Sequence, residues 1–293
     1  MSTSPWQPSL FGGLSGRHQC PPELQPRTPL VIAIHGGTYT SAYFDVPGAS
    51  LLARARANRI PVLAPDRPGY GDSPMRAAGE MTIKGQARHL IGTLRDAWSR
   101  HGEGTAGIVL IGHSIGGAIA ATMAAEMAGG SSDVPLLGLA VSGICMRTPP
   151  EHKEQWAQLP DTPTVEIPPP VKDFVMFGPQ GSFDPKMVDA SRAANTAAPK
   201  AELVDIVSTW QDQAPEVLGR IEVPVHYRQA EVDHLWIMSA DEVEAFRRAL
   251  KRSPRVDAAM VRGVGHCMDF HHVGRALQLQ QLGFALECAS AAA

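Results

Sequence analysis

Six short apolar runs, at residues 30–34, 61–64, 108–111, 136–141, 223–227 and 256–261, each end near a glycine or a charged turn. Runs this short, with little polar alternation, suit strands buried on both faces, as in a parallel sheet. Helical patterns fill the gaps at 48–58, 81–101, 115–128, 240–251 and 271–288. Ser239-Ala240-Asp241-Glu242 has the S-x-x-E form of a capping box and marks the start of the fourth. This alternation predicts an α/β domain, a mostly parallel central sheet with helices on both faces. With 293 residues, 44% hydrophobic and 19% charged, the chain can bury a sizeable core.

The rhythm breaks between 145 and 219. Thr148-Pro149-Pro150, Ile167-Pro168-Pro169-Pro170 and Gly178-Pro179-Gln180-Gly181 interrupt it, among scattered large apolar residues that include Trp156, Phe174, Phe177 and Trp210. The stretch reads as a part-helical insertion lying over the sheet edge. Residues 1–144 and 220–293 then form the core domain and 145–219 the insertion. Residues 1–29, rich in proline and glycine, leave room for a short edge hairpin.

Gly112-His113-Ser114-Ile115-Gly116 fits G-x-S-x-G, after an apolar strand and before an alanine-rich helix. A strand that turns at once into a helix holds the serine in a strained conformation and lifts its hydroxyl above the sheet. Side chains two residues to either side would collide there, so glycine is used. Ser114 is therefore a candidate nucleophile, and it needs a base. His266, in the glycine-flanked loop Arg262-Gly263-Val264-Gly265-His266 after the last strand, is the best placed of the 11 histidines. His271 and His272 are expected to start the final helix. Asp233, after the 223–227 strand, is the candidate acid that orients the base, with Glu231 as its backup. The loop after residues 136–141 contains no carboxylate, which strengthens Asp233. An oxyanion needs two backbone donors. Ile115 N–H is one candidate, and Gly37 N–H, in His35-Gly36-Gly37-Thr38, is nominated as the other, with Thr38 as a helper. Thr38, His113, Phe174, Phe177 and Trp210 are candidate substrate contacts, the hydrophobics of the insertion dividing between its own core and a pocket wall.

Other chemistries find less support. The net charge of −3, from 26 basic and 29 acidic residues, does not suggest nucleic acid or a membrane surface as partner. The N-terminus lacks the basic and apolar regions of a signal peptide, and no apolar run is long enough to span a bilayer. Four cysteines without C-x-x-C spacing read as reduced thiols in a cytoplasmic protein. His266, Cys267, His271 and His272 cluster without metal-ligand spacing, and Gly69-Tyr70-Gly71 lacks the third glycine of a dinucleotide site. No cofactor or metal is expected, the partner is a small-molecule substrate, and a homodimer is compatible with the sequence. Arg67 and Arg147, near strand ends, read as solvated surface arginines rather than as partners for a substrate carboxylate.

Together these pieces resemble the α/β-hydrolase family. The order Ser114, Asp233, His266 matches that family's chain order. His35-Gly36-Gly37 resembles its oxyanion loop, Asp66-Arg67-Pro68-Gly69-Tyr70-Gly71-Asp72-Ser73 is similar to its D-x-x-G-x-G-x-S turn, and the insertion falls where members carry a cap or lid. The resemblance implies an acyl-enzyme on Ser114, with His266 moving the proton and Asp233 holding the imidazole. A serine at the nucleophile position argues against dehalogenase or epoxide hydrolase chemistry. Three function classes follow. The first is a serine hydrolase of a carboxylic ester or a related acyl bond (amide, lactone, thioester, or a carbon–carbon bond next to a carbonyl). The second is a non-hydrolytic enzyme of this fold: a lyase, a perhydrolase-type haloperoxidase, or a cofactor-free dioxygenase using the His–Asp pair as base. The third, a ligand-binding receptor, fits an intact triad least well.

Overall fold

The computed structural model describes residues 6–130 and 133–292; residues 1–5, the start of the N-terminal stretch considered above, lie outside them. Among the described residues ten strands form: β1 (Trp6–Phe11), β2 (Leu14–Gln19), β3 (Leu30–Ile34), β4 (Val62–Pro65), β5 (Ile108–His113), β6 (Leu136–Ser142), β7 (Thr164–Val165), β8 (Ala198–Pro199), β9 (Val225–Ala230) and β10 (Val256–Val261). Eight of them make one sheet in the order β1-β2-β4-β3-β5-β6-β9-β10, parallel from β4 to β10. The expected edge hairpin is present: β1 and β2 pair antiparallel, and β2 runs antiparallel to β4. The separate pair β7-β8 lies within the 145–219 stretch.

Period-two alternation sorts the strand side chains onto two faces. From β3, Leu30, Ile32 and Ile34 enter one core cluster while Val31 and Ala33 enter the other. β5 repeats the division, with Ile108 and Leu110 on the first side and Val109 and Ile111 on the second. The helices are α1 (Leu51–Ala57), α2 (Ile83–His101), α3 (Ile115–Glu126), α4 (Pro150–Ala157), α5 (Pro169–Met176), α6 (Lys186–Ser191), α7 (Lys200–Ser208), α8 (Trp210–Gly219), α9 (Ala240–Ala249) and α10 (Gly274–Ala291). α2, α3, α8 and α9 pack successively on the first face, and α1 and α10 on the second. Every residue of α3 from Ile115 to Ala125 is buried. Its small, all-round apolar composition is what a helix enclosed by sheet and neighbours requires. α9 starts as its capping box predicts, Glu242 N–H donating to Ser239 Oγ at 3.2 Å. The final helix starts later than expected. His271 and His272 precede it in a turn that follows a short 3-10 turn, Met268–Phe270.

The stretch from 145 to 219 carries α4 to α8, but α8 behaves differently from the rest. It packs on α3 and α9 beside the sheet. Trp210, at its start, is buried and donates its indole N–H to Cys145 O at 2.8 Å. Among the described residues no helix is long and apolar enough to cross a membrane. The four cysteines are free thiols, Cys20 exposed and the other three buried.

Candidate active site

The parallel strands deliver three loops to one edge of the sheet, the C-terminal ends of β5, β9 and β10. Functional groups of open α/β sheets gather there. At the end of β5, Ser114 adopts φ 56°, ψ −131°, a conformation hostile to side chains. The turn is so tight that a Cβ on Gly116 would lie 2.3 Å from the carbonyl oxygens of both Ile34 and His35. A Cβ on Gly36 would sit 2.8 Å from Ser114 Cβ. Gly116→Ala is accordingly expected to cost about 2–3 kcal/mol or more, since no flexible side chain can yield to it. Urea unfolding would register this as a lowered midpoint at unchanged slope.

Ser114, His266 and Asp233 form one hydrogen-bonded chain. His266 Nε2 is 2.8 Å from Ser114 Oγ, and His266 Nδ1 is 2.8 Å from Asp233 Oδ2. The carboxylate only accepts, so Nδ1 carries the proton and Nε2 is left to accept from the serine hydroxyl. Asp233 is itself held, Oδ2 accepting from Gln229 Nε2 at 2.8 Å and Oδ1 from Leu235 N–H at 3.0 Å. Glu231 lies elsewhere in the loop, its Oε2 accepting from Gly263 N–H at 2.8 Å. The His266 loop is braced by His271, whose Nε2 accepts from the backbone N–H of Gly265 at 3.1 Å and of Gly178 at 3.2 Å.

Gly37 lies against Ile115, and both line the cavity that holds Ser114. Among the described residues, neither backbone N–H donates to another group, so both are available for a developing oxyanion. Thr38 also lines this cavity. Its buried Oγ1 has no hydrogen-bond partner among the described residues. The cavity measures about 460 Å³, within the range of small-molecule sites. Trp156, Ile167, Leu203, Ile206 and Trp236 supply apolar wall, and the half-buried His152 contributes an Nδ1 that is unpartnered among the described residues. Phe174 lies at the opening, 65% exposed, stacked on His234 with ring centroids 4.5 Å apart.

Three of the residues considered as substrate contacts are placed elsewhere. His113 is buried behind the serine, stacked on Tyr43 at 4.7 Å, and burial holds its pKa well below the ordinary imidazole value. Phe177 packs into the core against Phe183 and Phe270. Trp210 is anchored beside α3, as described above. Arg67 corrects a different expectation. It is fully buried, bidentate to Glu202 of α7 (Nη1 to Oε2 at 2.5 Å, Nη2 to Oε1 at 3.0 Å), with further bonds to Gln86 and to the carbonyls of His35 and Gly36. A buried arginine needs such full pairing, and here it ties α7 to the Gly36–Gly37 loop. Arg147 is exposed and pairs with Glu242, as a surface arginine would.

A family model described as the alpha/beta hydrolase family matches residues 31–277, and the chain belongs to that family. A thermophilic esterase from Thermogutta terrifontis superposes with a TM-score of 0.66 at 19% identity, covering 91% of each chain. A monoacylglycerol lipase from Paleococcus ferrophilus gives 0.66 at 15% identity, over 92% of this chain and 97% of its own. At such identities the likeness is one of fold. Protein phosphatase methylesterase 1 from Bos taurus is 30% identical over 118 residues, 40% of this chain; the match spans 27% of that relative's length.

Proposed function

We propose that the chain is a serine hydrolase that cleaves a carboxylic ester, or a related acyl bond, of a small to medium, partly apolar and uncharged substrate. The observation that carries this reading is the Ser114–His266–Asp233 chain opening onto a cavity beside the Gly37 and Ile115 N–H groups. Ser114 Oγ attacks the carbonyl carbon while His266 Nε2 takes its proton, and the oxyanion is held by the two N–H groups. Collapse expels the alcohol, which receives that proton, and leaves an acyl-serine. Water then attacks the acyl carbon, His266 again taking a proton and returning it to Ser114. Asp233 fixes the imidazole tautomer and stabilises its charged form.

The substrate class follows from the wall. Among the described residues no lysine or arginine lines the cavity, and its charged side chain is Glu151. A substrate carboxylate would find no permanently charged partner in that wall, and Arg67 is already saturated by Glu202. The test is a series of 4-nitrophenyl esters from acetyl to decanoyl, set beside a hemisuccinate ester. Turnover of the neutral esters, with the anionic one at least about 100-fold poorer in kcat/KM, is expected. Absence of turnover across the series, with no acyl-serine in the intact mass, would overturn the proposal.

The Phe174–His234 stack narrows the entrance, which supports a second expectation. Phe174→Ala should raise kcat/KM for a branched or naphthyl ester about threefold to tenfold relative to the acetyl ester. Stability should change little, because the ring is mostly exposed. The ratio of kcat/KM for the two esters measures it.

A further inference from the structure

Thr38 follows Gly37 and has φ 62°, a region that a β-branched residue occupies only under constraint. Its carbonyl accepts from Thr196 N–H at 3.0 Å, and its backbone is tied on two further sides through helices of the stretch between β6 and β9. On one side Lys172 of α5 donates from Nζ to Thr38 O at 2.6 Å and to Asn195 Oδ1 at 2.7 Å, with the nitrogen 3.6 Å from the centroid of the Tyr39 ring. On the other, Thr38 N–H donates over a long 3.4 Å to Tyr70 Oη, whose hydroxyl donates to Glu202 of α7. Lys172 is 3% exposed, and among the described residues no carboxylate pairs with it. Its neighbour Asp173 pairs instead with Arg192. A methionine would bury the same stem without the charge. What the nitrogen adds is the tie to the Thr38 and Asn195 oxygens, and only the first belongs to the oxyanion loop.

We infer that Lys172 is a positioning residue: it reaches from α5 and, with Thr196 N–H on the same carbonyl, holds the Gly37–Thr38 turn in the conformation that presents the oxyanion donor. The inference rests on the reading of Gly37 as that donor. Burial pushes Lys172 down to about 7, against the smaller opposing effects of Cys267 and Asp173. The grip does not depend on the charge. An ammonium carries three N–H bonds and an amine two, and two oxygens wait to accept them.

The experiment compares wild type with Lys172→Met, counting active sites by fluorophosphonate uptake at Ser114. With 4-nitrophenyl butyrate, kcat per titrated site is expected to fall about tenfold to 100-fold while KM stays within about twofold. That loss lies below the roughly 100- to 1000-fold that follows removal of a whole oxyanion donor. Affinity for a trifluoromethyl ketone, whose adduct on Ser114 is an oxyanion, should fall by the same factor. A purely structural role would lower the melting temperature and the number of titratable sites, leaving kcat per site and ketone affinity unchanged. That result overturns the inference and leaves the serine reading standing. A wild type that neither takes up the phosphonate nor hydrolyses the ester overturns both. Lys172→Leu, shorter and equally apolar, is read in the same way should the methionine variant not fold.

Discussion

Replacing Ser114 with alanine is expected to lower kcat for a neutral ester about 10⁶-fold, with a melting temperature close to that of wild type. The hydroxyl is the nucleophile of the proposed pathway, and no other hydroxyl approaches His266 Nε2 among the described residues. What survives should be the catalysis of a preorganised oxyanion site acting on water, roughly 10³- to 10⁴-fold above the uncatalysed rate. Folding should tolerate the change. Alanine keeps the same Cβ in the same strained turn and loses one hydrogen bond. Progress curves at high enzyme concentration, with a melting curve of the same preparation, measure both quantities. A reaction that survives Ser114→Ala at full rate would point instead to the His–Asp pair acting as a base without the nucleophile.

Asp233→Asn should cost about 10⁴-fold in kcat for a different reason. Three donors converge on this carboxylate: His266 Nδ1–H, Gln229 Nε2–H and Leu235 N–H. An asparagine offers one oxygen and one NH₂, so at least one donor must face another donor. The imidazole is the group that can escape, by moving its proton to Nε2. It then presents a donor to Ser114 and cannot take the serine's proton. Geometry would be nearly unchanged while activity is lost, and steady-state kinetics beside a melting curve would separate the two. A loss smaller than about tenfold would move the acid's role elsewhere, with Glu231 the residue to substitute next.

Much of this arrangement was legible in the chain because it is local. Ser114 is announced by glycines two residues away and by an apolar strand running into a small-residue helix. Asp233 and His266 follow apolar runs, and the parallel sheet brings the ends of those runs together. What stayed hidden depends on side chains meeting across long stretches of sequence. Arg67 read as a surface arginine because nothing near it in sequence reveals Glu202, which folds down from α7. Lys172 lies in a segment of prolines and mixed polarity, where a lysine ordinarily faces water. His271 looked like the start of a helix, yet it bonds the backbone N–H of Gly265 ahead of His266. Phe177 and Trp210 shared the large apolar character of Phe174. Only packing separates a ring at the cavity mouth from rings in the core.

The central claim is that Ser114 is an activated nucleophile. It is tested most directly by treating wild type and Ser114→Ala with a fluorophosphonate and mapping the adduct by peptide mass spectrometry. One adduct per chain on the peptide containing Ser114, absent from the variant, is the expected result. Folded wild type that stays unlabelled, at probe concentrations that label a reference serine esterase, would contradict it.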